Sequence, residues 1–344
     1  MRILVVSQHY WPEPLDSTQI CEGLVERGHE VCVLCGEPNY PEGTIYPGYD
    51  ARELRREERN GVQIVRVPLL LYCLDIWPEC LLAGGIKRGG IVYNHYRKVA
   101  HDIYQAADRV AVSSPFFVPY LREEVGVRLS NPVDLPHFAS DALVDVCAEP
   151  RADYDRSKVN LTFAGNVGAA QSVETIVRAA ALCTDDERLA FHVVGSGTEL
   201  DACKQLARTL GASNVIFHGR FPQEAMPSFY AASDAMLLTL AGGTLLGFTL
   251  PLKLHTYLAA GKPVLGAVTG DAERVIREAG CGRCVPAEDA EGLARICRDF
   301  AGRNDWAELG RRARDYYDAN YTKERFFERL EEALDDLRGT KHGS

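Results

Sequence analysis

The stretch Val159-Asn160-Leu161-Thr162-Phe163-Ala164-Gly165-Asn166-Val167-Gly168 decides how this chain is read. It is a short apolar run that ends in glycines, and Gln171 and Ser172 then open a segment of helical spacing. A run of this length bounded by turn residues reads as a buried strand. The same unit repeats outward from it. Strand-like runs fall at 189–195, 215–219, 235–240 and 263–268, and helix-like stretches at 172–183, 198–210, 223–232, 252–260 and 271–279. Strands alternating with helices imply a parallel sheet covered on both faces, the Rossmann-like arrangement.

The N-terminal half opens in the same way. Residues 2–6 read as a buried strand, 18–27 as an amphipathic helix stopped by Gly28-His29-Glu30, and 31–35 as the next strand. Further strands are expected at 62–67 and 109–113, with a helix from about residue 91 to 107. Pro132, Pro136 and Pro150 punctuate a stretch without sustained period, which reads as a linker. Residues 306–337 are charged and helical. The expected division is 1–135, a linker at 136–157, a second domain at 158–305, terminal helices at 306–338 and a tail at 339–344.

Composition narrows the function classes. The chain has 344 residues, 46% hydrophobic and 25% charged, with a formal charge of −10. That length suits two domains, and the acidic balance argues against nucleic acid as a partner. No apolar run approaches the ~18 residues of a membrane span, and the N-terminal run ends too early for a signal peptide, so a cytoplasmic protein is expected. Cys32 and Cys35 would point to opposite faces of a strand. Cys281 and Cys284 read as a turn without a second ligand pair, and reduced structural thiols are expected at both pairs.

In an open α/β sheet, ligands bind outside the carboxyl ends of the strands. There the chain offers Gly165-Asn166-Val167-Gly168 with Gln171, then Gly195-Ser196-Gly197, then Gly219-Arg220. A further loop, Gly247-Phe248-Thr249-Leu250-Pro251, meets a helix whose first turn holds Lys253. Glycines let backbone approach a phosphate, and a helix N-terminus offers free N–H groups. Asp75 reads either as a cleft residue or as a cap before Pro78. His9 reads more simply as a hydrogen-bonded loop residue.

These turns, with Phe217-His218-Gly219-Arg220 and Thr256-Tyr257-Leu258-Ala259-Ala260-Gly261-Lys262-Pro263-Val264, resemble the donor site of family-four retaining glycosyltransferases of bacterial capsule, O-antigen and exopolysaccharide synthesis. Pro38-Asn39-Tyr40-Pro41-Glu42-Gly43 and Leu74-Asp75-Ile76-Trp77-Pro78-Glu79 extend the resemblance into the N-terminal half. It implies a GT-B fold, with two Rossmann-like domains facing across a cleft, and transfer of a hexosyl or N-acetylhexosaminyl group with retention. The donor would be a nucleotide-diphospho-sugar, UDP-linked by expectation, with no cofactor and no obligatory metal. The acceptor would be lipid-linked or a saccharide, with peripheral contact at the inner face of the membrane.

Carried over, Gly165, Asn166, Gly168, Gln171 and Lys253 would hold the diphosphate, Gly195, Ser196, Gly197 and Arg220 the base, and Phe248, Thr249 and Leu250 the pyrophosphate and sugar. Asp75 and Glu79 would stand on the acceptor side, with Lys253 stabilising the leaving group. Two departures accompany the resemblance. Thr256 stands where the group usually has a glutamate gripping the ribose. A strand with its flanking helices is missing near 68–72, which shortens the N-terminal half. These departures favour the rival reading of a non-catalytic nucleotide-sugar-binding protein or an inactive remnant. A nucleotide-sugar 2-epimerase on the same fold is the other alternative.

Overall fold

The computed structural model describes residues 1–7, 10–13, 16–38, 45–49, 55–67, 69–129, 131–144, 148–242 and 249–338. The N-terminal half begins with β1 (Arg2–Val6), α1 (Asp16–Glu26), β2 (Glu30–Cys35), β3 (Arg55–Arg59) and β4 (Val62–Arg66). It continues with β5 (Leu70–Cys73), a 3-10 turn (Glu79–Gly84), α2 (Ile91–Ala106), β6 (Arg109–Val112), α3 (Phe117–Tyr120) and β7 (Val133–Asp134). The C-terminal half runs β8 (Val159–Ala164), α4 (Val173–Ala181), β9 (Leu189–Val194), α5 (Leu200–Leu210), β10 (Val215–Gly219), α6 (Met226–Ala232) and β11 (Ala235–Thr239). Then follow α7 (Leu252–Ala259), β12 (Val264–Ala267), α8 (Asp271–Ala279), β13 (Gly282–Val285), α9 (Ala290–Ala301), α10 (Trp306–Asn320) and α11 (Lys323–Arg338).

The C-terminal strands form one parallel sheet in the order β10-β9-β8-β11-β12-β13. Every residue of β8, β9, β11 and β12 is buried. That accounts for their near-continuous apolar sequences, since a parallel sheet is covered on both faces. The order reverses between β8 and β11. In such sheets the crevice at this switch point is where ligands bind.

One C-terminal expectation is corrected. Cys281 and Cys284 flank or lie in β13, which pairs with β12 from Gly282↔Val264 to Val285↔Ala267, rather than in a turn. Gly282 and Arg283 break the apolar pattern and hide the strand. A Cβ at Gly282 would lie 1.8 Å from the Val264 carbonyl oxygen, so the close pairing demands glycine. Burial raises both thiols to about 12.

The N-terminal half departs further from expectation. Its strands form two sheets: β1-β2-β4-β3, in which the charged strand β3 runs antiparallel to β4, and the parallel β5-β6-β7. The expected buried strand at 2–6 is a strand, but not a buried one. Among the described residues β1 pairs with β2 alone, and Leu4 and Val6 are exposed by 65% and 73%. β5 similarly pairs only with β6 among the described residues.

The halves are tied across their junction. The Ser114 hydroxyl, after β6, donates to Asp271 Oδ2 at the start of α8 (2.9 Å). The Tyr317 hydroxyl on α10 accepts from the Ala139 N–H. α11 returns to the N-terminal half, where Phe326 meets the Tyr72 ring and Asp336 pairs with Arg109.

Candidate functional site

The turn after β8 is built by backbone contact with the turn after β9. The Gly165 N–H donates to the Val194 carbonyl (2.9 Å), the Val167 N–H to that of Ser196 (2.9 Å) and the Glu199 N–H to that of Val167 (3.0 Å). Gly165 and Gly195 have φ of +147° and +149°, a region other residues rarely enter. A Cβ on Gly195 would lie 1.8 Å from the Gly165 carbonyl oxygen. Two glycine turns are thus pressed together at the carboxyl edge of the sheet. The turn after β10 joins them, because the Gly195 N–H donates to the Gly219 carbonyl (2.8 Å).

Side chains fix the rest of this surface. Asn166 Nδ2 donates to Gln171 Oε1 (3.1 Å), and a Cβ on Gly168 would press on both groups. The end of β11 is bound to the same place, since the Thr239 hydroxyl donates to the Gln171 carbonyl (2.6 Å) and the Ala241 N–H to that of Ala170 (3.0 Å). The turn therefore lies at the β8/β11 switch point. Arg220 follows Gly219 and is exposed.

α7 aims its first turn at this surface. The Tyr257 hydroxyl donates to the Ala164 carbonyl and accepts from the Ala164 N–H, both at 3.0 Å, which locks the helix to the end of β8. Lys253 lies four residues earlier, hence on the same helix face. Its Nζ stands 3.4 Å from where a Gly165 Cβ would be and 4.3 Å from the centre of the Phe163 ring. That Nζ is buried without a hydrogen-bond partner among the described residues. Burial pushes its pKa down to about 7.

Other expected residues fall as follows. Leu250 is buried and Thr249 half-buried, whereas Phe248 lies outside the described residues. Thr256 is buried on α7 and its hydroxyl donates to the Leu252 carbonyl of its own helix (3.2 Å), leaving only its lone pairs for another group. Asp75 is exposed after β5. His9 and residues 39–43 lie outside the described residues.

Glu79 requires a correction. It does not stand open beside Asp75 but is 1% exposed. Its carboxylate accepts from the hydroxyls of Tyr93 and Tyr120 and pairs with Arg88. These bonds fasten the 3-10 turn to α2 and α3. These three bonds take up most of the carboxylate's ~four acceptor sites, which marks an internal anchor rather than a group awaiting substrate.

Tyr257 and Phe163 stand inside the quoted motifs, but the motifs gave them no role in the site. The spacing of Lys253 and Tyr257 on one helix face was the available signal.

Residues 158–302, which contain all of this surface, match the family described as Glycosyl transferases group 1. The chain is 30% identical over 280 residues to the probable glycosyltransferase WbjE of Pseudomonas aeruginosa, covering 76% of this chain and 68% of that protein. It belongs to the group 1 glycosyl transferases. This glycosyltransferase is also 22% identical over 419 residues to the putative colanic acid biosynthesis glycosyl transferase WcaI of Escherichia coli, covering 98% of the chain and 100% of the relative. An alignment longer than the 344-residue chain means that WcaI carries stretches absent here. Among solved structures, Anabaena HepE in complex with UDP and glucose superposes with a TM-score of 0.63 at 15% identity, over 96% of this chain and 98% of that one. The fold of the glycosyltransferase is GT-B.

Proposed function

We propose that this glycosyltransferase moves a sugar from a UDP-sugar to a lipid-linked or saccharide acceptor, with retention, in the synthesis of a bacterial surface polysaccharide. The observation that carries the proposal is the buried Lys253 Nζ beside the Gly165 turn, unpartnered among the described residues. Desolvating an amine without a partner is costly to a fold, and a diphosphate at this turn would supply the missing partner. Support for the donor class comes from HepE, solved with UDP and glucose, and for the pathway from the colanic acid relative.

In this reading Lys253 and the N–H groups of Asn166 and Gly168, those of Gly165 and Val167 being bonded to the neighbouring turn, neutralise the charge that grows on the departing diphosphate. The acceptor hydroxyl attacks the anomeric carbon from the leaving-group side as the bond to the phosphate oxygen breaks. Its proton passes to that oxygen, and Asp75 orients the acceptor. Gly195–Gly197 and Arg220 face the base. The domain limits we propose are 1–135 and 158–305, joined by 136–157 and closed by the helices at 306–338. The edge of β1, free among the described residues, and the longer alignment to WcaI support a shortened N-terminal domain.

Contact with an anionic membrane is supported by α2. Its Tyr93, Ala100 and Tyr104 are buried, while Val92, Tyr96, Val99 and Ile103 form a neighbouring stripe open to solvent. Arg97 and Lys98 are exposed on the same helix of an otherwise acidic chain. An apolar stripe with cations alongside is the pattern of interfacial helices. Among the described residues no helix is long and apolar enough to cross a membrane.

The test is to incubate the protein with a panel of nucleotide sugars and follow nucleoside diphosphate release, with and without polyprenyl-diphosphate-linked sugar. Release from a UDP-sugar that rises with the acceptor is the expected result. No release from any donor, with acceptor present, would overturn the reading.

A further inference from the structure

The donor site poses a question of protons. Lys253 Nζ has neither water contact nor a hydrogen-bond partner among the described residues, and it lies against the face of Phe163. An ammonium in such a place would keep its charge with only a ring quadrupole to balance it. Among the described residues no counter-charge stands beside it. β8 carries no titratable side chain, and neither does the turn from Gly165 to Gly168. On α7 itself, Tyr257 is committed to Ala164, and burial drives His255 down to about 3, so that it is neutral. From α10, Arg314 reaches the carbonyl of Ala259 at the far end of α7 and pairs with Asp318. Glu199, in the turn after β9, exerts no resolved pull, because burial alone accounts for the displaced lysine.

We infer that Lys253 is a neutral amine in the empty site and takes up its proton together with the nucleoside diphosphate. This rests on the donor-site reading above. The amine's lone pair accepts a proton from solvent as the diphosphate enters, and the new ammonium donates to a phosphate oxygen. When the diphosphate leaves, the proton returns to water. The empty site thereby avoids an unpaired buried charge, and the ligand that brings the counter-charge restores it. Binding is consequently linked to pH. Above about pH 7, each further unit weakens diphosphate binding by up to about tenfold, until the pKa of the bound lysine is reached. A ligand without phosphates shows no such slope.

The experiment is titration calorimetry of the full chain with UDP at pH 8, in Tris and in HEPES, whose heats of ionisation differ. At this pH the terminal phosphate of UDP is already ionised, since its second pKa is about 6, so any proton taken up goes to the protein. Uptake close to one proton per UDP is expected. The Lys253→Arg variant, charged throughout, should bind without uptake, and Lys253→Met should bind more weakly, also without uptake. Equal heats in both buffers for the wild-type chain would overturn the inference while leaving the donor site standing, and so would uptake that persists in Lys253→Met. Failure of the wild-type chain to bind UDP at all would remove the donor-site reading and this inference with it.

Discussion

Leu161 and Leu4 hold the same place in similar strands, each the third residue of its strand. Leu161 is fully buried and Leu4 is 65% exposed. The runs themselves do not explain the difference. β8 lies between β9 and β11, with helices packed around the sheet, whereas β1 has a single neighbour, β2, among the described residues. An apolar run specifies that a strand will form, but burial depends on what the rest of the chain places beside it. The C-terminal half supplies those neighbours in full. Among the described residues the N-terminal half leaves an edge bare and holds itself together by other means.

Those other means can be tested first, where the largest effect is expected. Glu79 anchors the N-terminal half by gathering Tyr93, Tyr120 and Arg88. Replacing it with alanine strands two buried hydroxyls and removes the partner of Arg88. Arg88 is half exposed and can turn to water, but each buried hydroxyl left without its acceptor costs about 1–3 kcal/mol, so Glu79→Ala should lower the denaturant midpoint sharply. Asp75→Ala, an exposed change four residues earlier, should stay within about 0.5 kcal/mol. A Glu79→Ala protein as stable as wild type, with transfer alone lost, would return Glu79 to the reaction.

The C-terminal half should respond to the loss of packing instead. Leu161→Ala removes a fully buried side chain from the central strand of the six-stranded sheet. Such truncations cost about 2–5 kcal/mol, according to how far the cavity collapses. Calorimetric unfolding of this variant beside Glu79→Ala would show whether the halves melt as one unit or separately.

A third effect, near 2 kcal/mol, is a dependence on pH. Burial lowers Lys253 in the folded chain to about 7 from an ordinary 10.5. Between these values the unfolded chain binds more protons than the folded one, so stability rises with pH across that window. Below pH 7 the full cost of burying the charge is present, and above 10.5 it is gone. Subtracting the Lys253→Met stability profile from that of wild type isolates the lysine. The difference should grow in favour of wild type by about 2 kcal/mol from pH 7 to pH 9, and saturating UDP should flatten it. A flat difference without ligand would mean that Lys253 is charged in the empty site.

How much of this was legible in the sequence follows from the same contrast. Strands β8 to β12 stood out because buried parallel strands are continuous apolar runs, and their glycine turns marked the site. β13 was hidden by Gly282 and Arg283. β3 was hidden by its charges, which a hairpin partner tolerates but an apolar template does not recognise. The lysine was found by its place in a helix's first turn. Its isolation was not, since that depends on the Phe163 ring meeting it in space. Glu79 was misjudged for a related reason. Its partners lie 9, 14 and 41 residues away, and a motif that ends at Glu79 contains none of them.

The smallest effect is also the most direct test of the comparison. Leu4→Ala deletes the same atoms as Leu161→Ala, from the same position in a parallel strand. In β1 that side chain already lies mostly in water, so little transfer free energy is lost and no cavity opens. The alanine variant should unfold within about 0.5 kcal/mol of wild type. The strand loses some β-propensity, which is a fraction of ~1 kcal/mol in any host and least at an edge. The measurement is equilibrium unfolding of dilute protein, repeated at a tenfold higher concentration. A loss near 2 kcal/mol at both concentrations would mean that something within the chain covers β1 in solution. A loss only at the higher concentration would assign the cover to a second copy. A near-zero change at both leaves β1 as the bare edge of a shortened domain.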